Sequence, residues 1–144
     1  MRTVVQRVKE ATVFVEDEAV GHTDKGFLVL CGFTATDTAE TVDWMANRIV
    51  KSRIFPDENG KLNLSLADVG GSILCVSNFT LYADCKHGTR PDFSQAAGAA
   101  ISRPLYDLFL KKLSEKVHTE SGRFGEHMEL SVFSDGPITV VIEK

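Results

Sequence analysis

Hydrophobic and polar positions change period several times along these 144 residues. From Thr3 to Val15, valines and threonines are interspersed with Gln6, Arg7, Lys9 and Glu10. That pattern predicts one long strand or two short ones. Glu16-Asp17-Glu18 reads as a charged turn, and Ala19 to His22 fits a short returning strand. Phe27 to Cys31 is apolar without interruption, as expected of a strand covered on both faces in the middle of a sheet.

The period then lengthens. Asp37, with Glu40 three positions on, predicts a helix start, and Val42, Met45, Ala46 and Ile49 share one face of a helix ending near Ser52. The segment from Phe55 to Gly60 is dense in turn formers and reads as a surface loop. Ile73 to Val76 predicts a second buried strand, and Asp84 to Gln95 a long polar loop. A second helix is expected from Ser102, with Pro104 in its first turn and Leu105, Leu108, Phe109 and Leu113 facing inward. Met128 to Phe133 and Ile138 to Ile142 predict two closing strands joined by Ser134 to Pro137. Without βαβ alternation, the expected fold is a single α+β domain over residues 1–144. It has a mostly antiparallel, barrel-like curled sheet and two main helices.

Composition narrows the classes. The apolar fraction of 43% suffices for a core, and no run approaches the roughly 20 residues of a membrane span. The alternating, charged N-terminal stretch does not resemble a signal peptide, so a soluble, cytoplasmic, unanchored protein is expected. An odd count of cysteines, Cys31, Cys75 and Cys85, argues against a disulfide framework and fits a reducing compartment. No ligand set has zinc-like spacing, and no GxxxxGK or GxGxxG loop is present, so neither metal nor nucleotide cofactor is expected. A net charge of −4 does not advertise binding along a duplex.

Two short segments carry candidate chemistry. Ser77-Asn78-Phe79-Thr80-Leu81 sets two hydroxyls and a carboxamide at the end of a buried strand, a place where a rigid scaffold presents polar groups to a cleft. Polar strand ends are also ordinary structural features. Ser134-Asp135-Gly136-Pro137-Ile138-Thr139 reads, from its residues alone, as a turn.

Together the two segments resemble the paired signature motifs of the D-aminoacyl-tRNA deacylases. Further landmarks follow in order: Gln6-Arg7-Val8, Arg53-Ile54-Phe55, Gly70-Gly71-Ser72, Arg90 to Ser94 and Gly122 to Gly125. The resemblance therefore spans the chain. It departs at Asn78, where the family commonly has glutamine, and more mildly at Ser134 and Ile138.

The resemblance implies hydrolysis of the ester joining a D-amino acid to the 3′ end of tRNA, by a homodimer whose active sites lie at the subunit interface. Glycyl-tRNA mischarged on tRNA-Ala is an expected second substrate. Gly136 and Pro137, joined by a cis bond and reaching in from the other subunit, would reject an L-residue by backbone carbonyls. Arg7 would buttress that motif. Ser77 and Thr80 would flank the ester, with a backbone amide near Phe79 and Thr80 binding the oxyanion and the tRNA 2′-hydroxyl assisting water. Asn78 would contact substrate. Phe124 and Met128 would wall the terminal adenosine, although at four residues apart they also suit core packing. Rival readings are an esterase using Cys85 or Thr80, a non-catalytic RNA-end or small-ligand binding dimer, and a deacylase with relaxed chiral specificity.

Overall fold

The computed structural model describes residues 1–144. Its spine is β1 (Arg2–Val15), one continuous strand. Glu16 and Asp17 both take positive φ, a tight turn that returns the chain as β2 (Glu18–Thr23), antiparallel to the second half of β1. The strand β3 (Gly26–Gly32) pairs antiparallel with the first half, from Arg2 opposite Gly32 to Val8 opposite Gly26.

After β3 the chain forms α1 (Ala39–Val50), whose buried stripe of Val42, Met45, Ala46 and Ile49 matches the expected periodicity. Thr38, paired with Thr41 in a capping box, starts this helix. Asp37 instead accepts hydrogen bonds from the Met1 amino group and the Thr34 amide, which removes it from the cap. Next come β4 (Phe55–Pro56), β5 (Leu62–Leu64) and the single-turn α2 (Leu66–Val69). The strand β6 (Ser72–Ser77) lies parallel to β3 and leads into a 3-10 turn over Phe79–Tyr82.

The helix α3 (Ala99–Ser114) begins a turn earlier than the sequence predicts, because Gly98 serves as its N-cap. Pro104 therefore sits inside the helix. The three-residue β7 (Thr119–Ser121) pairs parallel with β6 and has no clear pattern in the sequence. Finally β8 (Glu129–Glu143) runs antiparallel along nearly the whole of β1. The two closing strands expected from sequence are one strand with register shifts opposite Gln6 to Glu10.

The sheet order β2-β1-β3-β6-β7, with β8 on β1, is mostly antiparallel as expected, with parallel pairing only where β6 joins β3 and β7. It curls until β2 meets β7, where the His22 amide donates to the Glu120 carboxylate at 2.7 Å. Curling explains the doubly apolar strands. Phe27, Val29, Cys31, Ile73 and Cys75 face the helices in the main core, while the alternate Leu28, Leu74 and Val76 fill the barrel interior with Val8, Ala11 and Val13. No helix is long and apolar enough to cross a membrane.

Candidate active site

A cavity of about 540 Å³ opens where β3, β6, the start of α3 and the turn before β8 converge. Its volume is in the range of small-molecule sites. Ser77, Asn78, Phe79, Thr80, Phe124 and Met128 all line it, so both halves of the sequence-derived pocket meet in one place. Phe124 and Met128 are thus cavity wall, and Phe124 also packs against the core.

The first motif gets its shape from a change of backbone geometry. The strand β6 ends at Ser77, and the Asn78 amide is still held by the Cys31 carbonyl at 2.7 Å. The chain then tightens into the 3-10 turn with Asn78 as N-cap. The side-chain oxygen of Asn78 accepts from the Thr80 amide at 3.2 Å and also from the Thr80 hydroxyl. The Phe79 amide is the first of the turn, and a turn supplies no internal acceptor for that group. The Phe79 ring is 58% exposed, with Phe93 against it edge-on at 5.2 Å between centroids.

Glu126 and His127 also line the cavity, and they are its acidic and imidazole groups. Neither makes a side-chain hydrogen bond to Thr80, whose hydroxyl donates to an amide oxygen instead. An amide oxygen is too weakly basic to take the proton, so Thr80 is not prepared as a nucleophile.

The far wall is built by a turn. The Glu126 amide donates to the Arg123 carbonyl at 3.3 Å, and Gly125 has φ +82°, the geometry that places Phe124 at the outward corner. Tyr106 of α3 backs the Phe124 ring at 5.6 Å between centroids. Its hydroxyl donates to the buried Cys75 carbonyl at 3.0 Å, and burial pushes its pKa far above the ordinary tyrosine value. Tyr106 stays neutral and acts as a prop rather than a base. Leu30, Gly32, Phe33, Ala97, Ala99, Ser102 and Leu130 complete much of the lining. Sequence reasoning missed them because they are apolar or small residues whose convergence depends on the tertiary fold.

Arg7, Gly136 and Pro137 do not line this cavity. They form a second cluster on β1 and β8. The Gly136–Pro137 peptide is cis, and Gly136 has φ +129°. The buried Arg7 lies across β1 with its Nε 2.9 Å from Asp135 Oδ2; the alignment is off, so the contact is Coulombic and this Nε has no hydrogen bond. Its Nη1 donates to the Ile54 carbonyl at 2.7 Å, and its guanidinium faces the Phe55 ring at 6.0 Å. Arg7 is thus a buried side chain tied to Asp135 and the Ile54 carbonyl rather than a surface charge. Along the same strand, Leu130, Val132, Phe133 and Val141 are large apolar residues left exposed. The outer edge of β8 pairs with no strand of this chain. Cys85 is exposed and lies outside the cavity.

Known proteins resemble the chain along nearly its whole length. The family model described as D-Tyr-tRNA(Tyr) deacylase matches residues 4–143. A D-aminoacyl-tRNA deacylase of Limosilactobacillus reuteri is 48% identical over 145 residues, covering 100% of both chains. One from Brevibacillus brevis is 49% identical, covering 99% of each. Among solved structures, the c-Myc DNA unwinding element binding protein superposes with a TM-score of 0.93 at 36% identity, covering 100% of this chain and 99% of its own. The match runs through both motifs and the whole sheet, and the chain belongs to the D-aminoacyl-tRNA deacylase family, hydrolases that act on ester bonds.

Proposed function

We propose that this protein hydrolyses the ester of D-aminoacyl-tRNA, with the terminal adenosine seated between the Phe124–Met128 wall and the Ser77–Thr80 segment. The observation that carries this reading is the convergence of those two segments, some fifty residues apart in the chain, on one cavity of about 540 Å³. The Asn78 side chain occupies the Thr80 amide, which leaves the Phe79 amide as the donor for a developing oxyanion. One fixed amide aimed at the developing charge stabilises it because it needs no reorganisation. An aminoacyl ester is already reactive. Placement beside the tRNA 2′-hydroxyl, which orients the attacking water, supplies the remainder without a protein base.

Chirality is read by a second subunit. In a homodimer, Gly136 and Pro137 of one protomer enter the cavity of the other and set backbone carbonyls against the substituents on the substrate α-carbon. Two observations support the exchange: the motif lies outside its own chain's cavity, and β8 carries an open edge with exposed apolar residues. Such an edge normally invites pairing or is covered. A backbone gate has nothing to reject in glycine, so glycine mischarged on tRNA-Ala is also released. Cytoplasmic tRNA is the natural substrate pool.

Turnover tests the reading. With D-Tyr-tRNA in excess over protein, many equivalents of D-tyrosine are released. Stoichiometric binding without release would instead make the protein an RNA-end binding module. A monomer by sedimentation, still active, would remove the shared-site part of the account.

A further inference from the structure

Resting on that reading, we propose that Arg103 forms a phosphate subsite at the mouth of the cavity and holds the 5′-phosphate of the terminal adenosine. Arg103 follows Ser102 on α3, and Ser102 and Ala99 line the cavity, so this end of the helix forms part of the wall. The Arg103 guanidinium stands 5.3 Å from the centroid of the Phe124 ring, itself a lining residue. A planar cation resting on an aromatic wall keeps its donor edge free.

Its present partner is weak. Arg103 Nε meets Asp107 Oδ2 at 3.3 Å, one turn along the helix, with the two side chains 57% and 58% exposed. An exposed pair of this kind contributes little and yields readily to a better acceptor. Other charges near the wall suit a phosphate less. Arg123 is as exposed, but it is paired more closely, with Glu18 at 3.0 Å, and rests on no aromatic ring; the carboxylate in the lining, Glu126, repels an anion. A phosphodiester offers the paired oxygens that a guanidinium fork binds bidentately. A net charge of −4 gives the protein little general attraction for a polyanion, so a local contact of this kind is where affinity for a nucleotide end would be concentrated.

The test compares two small substrates, D-tyrosyl-adenosine and the same ester carrying a 5′-phosphate. The wild-type protein should show a KM about tenfold lower for the phosphorylated ester, the scale of a charge-assisted hydrogen bond. Arg103→Gln should bring the two KM values to within about twofold, and Arg103→Lys should retain part of the preference as a point charge without the fork. Each variant is read by the ratio of its two substrates, which an altered amount of active protein does not change. Equal KM values in the wild type, or a preference surviving in Arg103→Gln, would overturn the subsite while leaving the deacylase reading intact. Hydrolysis of neither ester, nor of D-Tyr-tRNA, would overturn both.

Discussion

The side-chain oxygen of Asn78 receives the amide of Thr80 at 3.2 Å and the Thr80 hydroxyl as well. One short side chain therefore fixes the backbone of the turn and leaves Thr80 without a base. Asn78→Asp should keep the cap, since aspartate caps equally well, yet bring a negative charge next to the proposed oxyanion site. The single-turnover rate on D-Tyr-tRNA should fall about a hundredfold. A rate near wild type would place the oxyanion elsewhere.

Thr80→Ala separates positioning from nucleophilic attack. The amide bond to Asn78 survives the substitution, so a loss below about tenfold is expected in the same assay, the hydroxyl contributing only turn stability. Removal of a true nucleophile costs about 10⁴-fold or more. A loss of that size would restore Thr80 as the attacking group.

Arg7 and Asp135 join the first strand to the second motif. Asp135→Asn leaves the Arg7 charge buried without its counter-ion. The cost should be about 1–2 kcal/mol, below the 3–5 kcal/mol of a fully buried pair because the Asp135 side chain is 32% exposed. For a domain of this size that lowers Tm by about 3–6 °C. An unchanged melting temperature would show that Arg7 is satisfied by the Ile54 carbonyl alone.

Gly136 has φ +129°, and a Cβ there would stand 2.7 Å from the Ile138 amide nitrogen and 2.9 Å from Ile138 Cγ1. Both the angle and the contact with backbone forbid an alanine in this geometry. Gly136→Ala should cost about 1–3 kcal/mol and displace the carbonyls proposed to read chirality. The ratio of D- to L-ester hydrolysis should fall even where folding is retained at low temperature. An intact ratio would move the gate away from this motif.

Buried tyrosines, together with the buried Cys31 thiol, set the alkaline behaviour. Desolvation, reinforced by Asp37, pushes Tyr82 up to about 12. The folded state keeps a proton that the unfolded chain loses from about pH 10, so this contribution is complete below pH 10 and is lost as pH rises toward 12. Denaturant midpoints should hold steady from pH 7 to about 8, decline gently from there because the buried Cys31 thiol keeps its proton while the unfolded one loses it, and fall further above about 10, with a shallower fall in Tyr82→Phe. A decline of the same steepness in Tyr82→Phe would assign it to Tyr106 and the rest of the chain.

Much of this architecture was legible from periodicity. The stripe of α1 and the doubly buried runs of β3 and β6 are patterns that only packing on one or both faces produces. What escaped depended on distant partners. Asp37 reads as a cap, but its carboxylate is taken by the N-terminus. Gly98 carries no capping side chain, so the start of α3 had no signal. The parallel pairing of β3 with β6 follows from a connection through two helices, and β7 is only three residues long. At the site, the polar motif stood out by composition, whereas Ala97, Ala99 and Ser102 became wall residues only through the placement of α3. Arg7 looks like a surface strand charge until the chain of β8 is laid over it.

The most direct measurement is release of tyrosine from D-Tyr-tRNA and L-Tyr-tRNA, assayed side by side with the same protein. Rapid, catalytic hydrolysis of the D-ester with the L-ester left intact is the predicted result. Equal hydrolysis of both would keep the cavity as an esterase site and contradict the gate at Gly136 and Pro137. Hydrolysis of neither by the folded protein would contradict the proposed function itself.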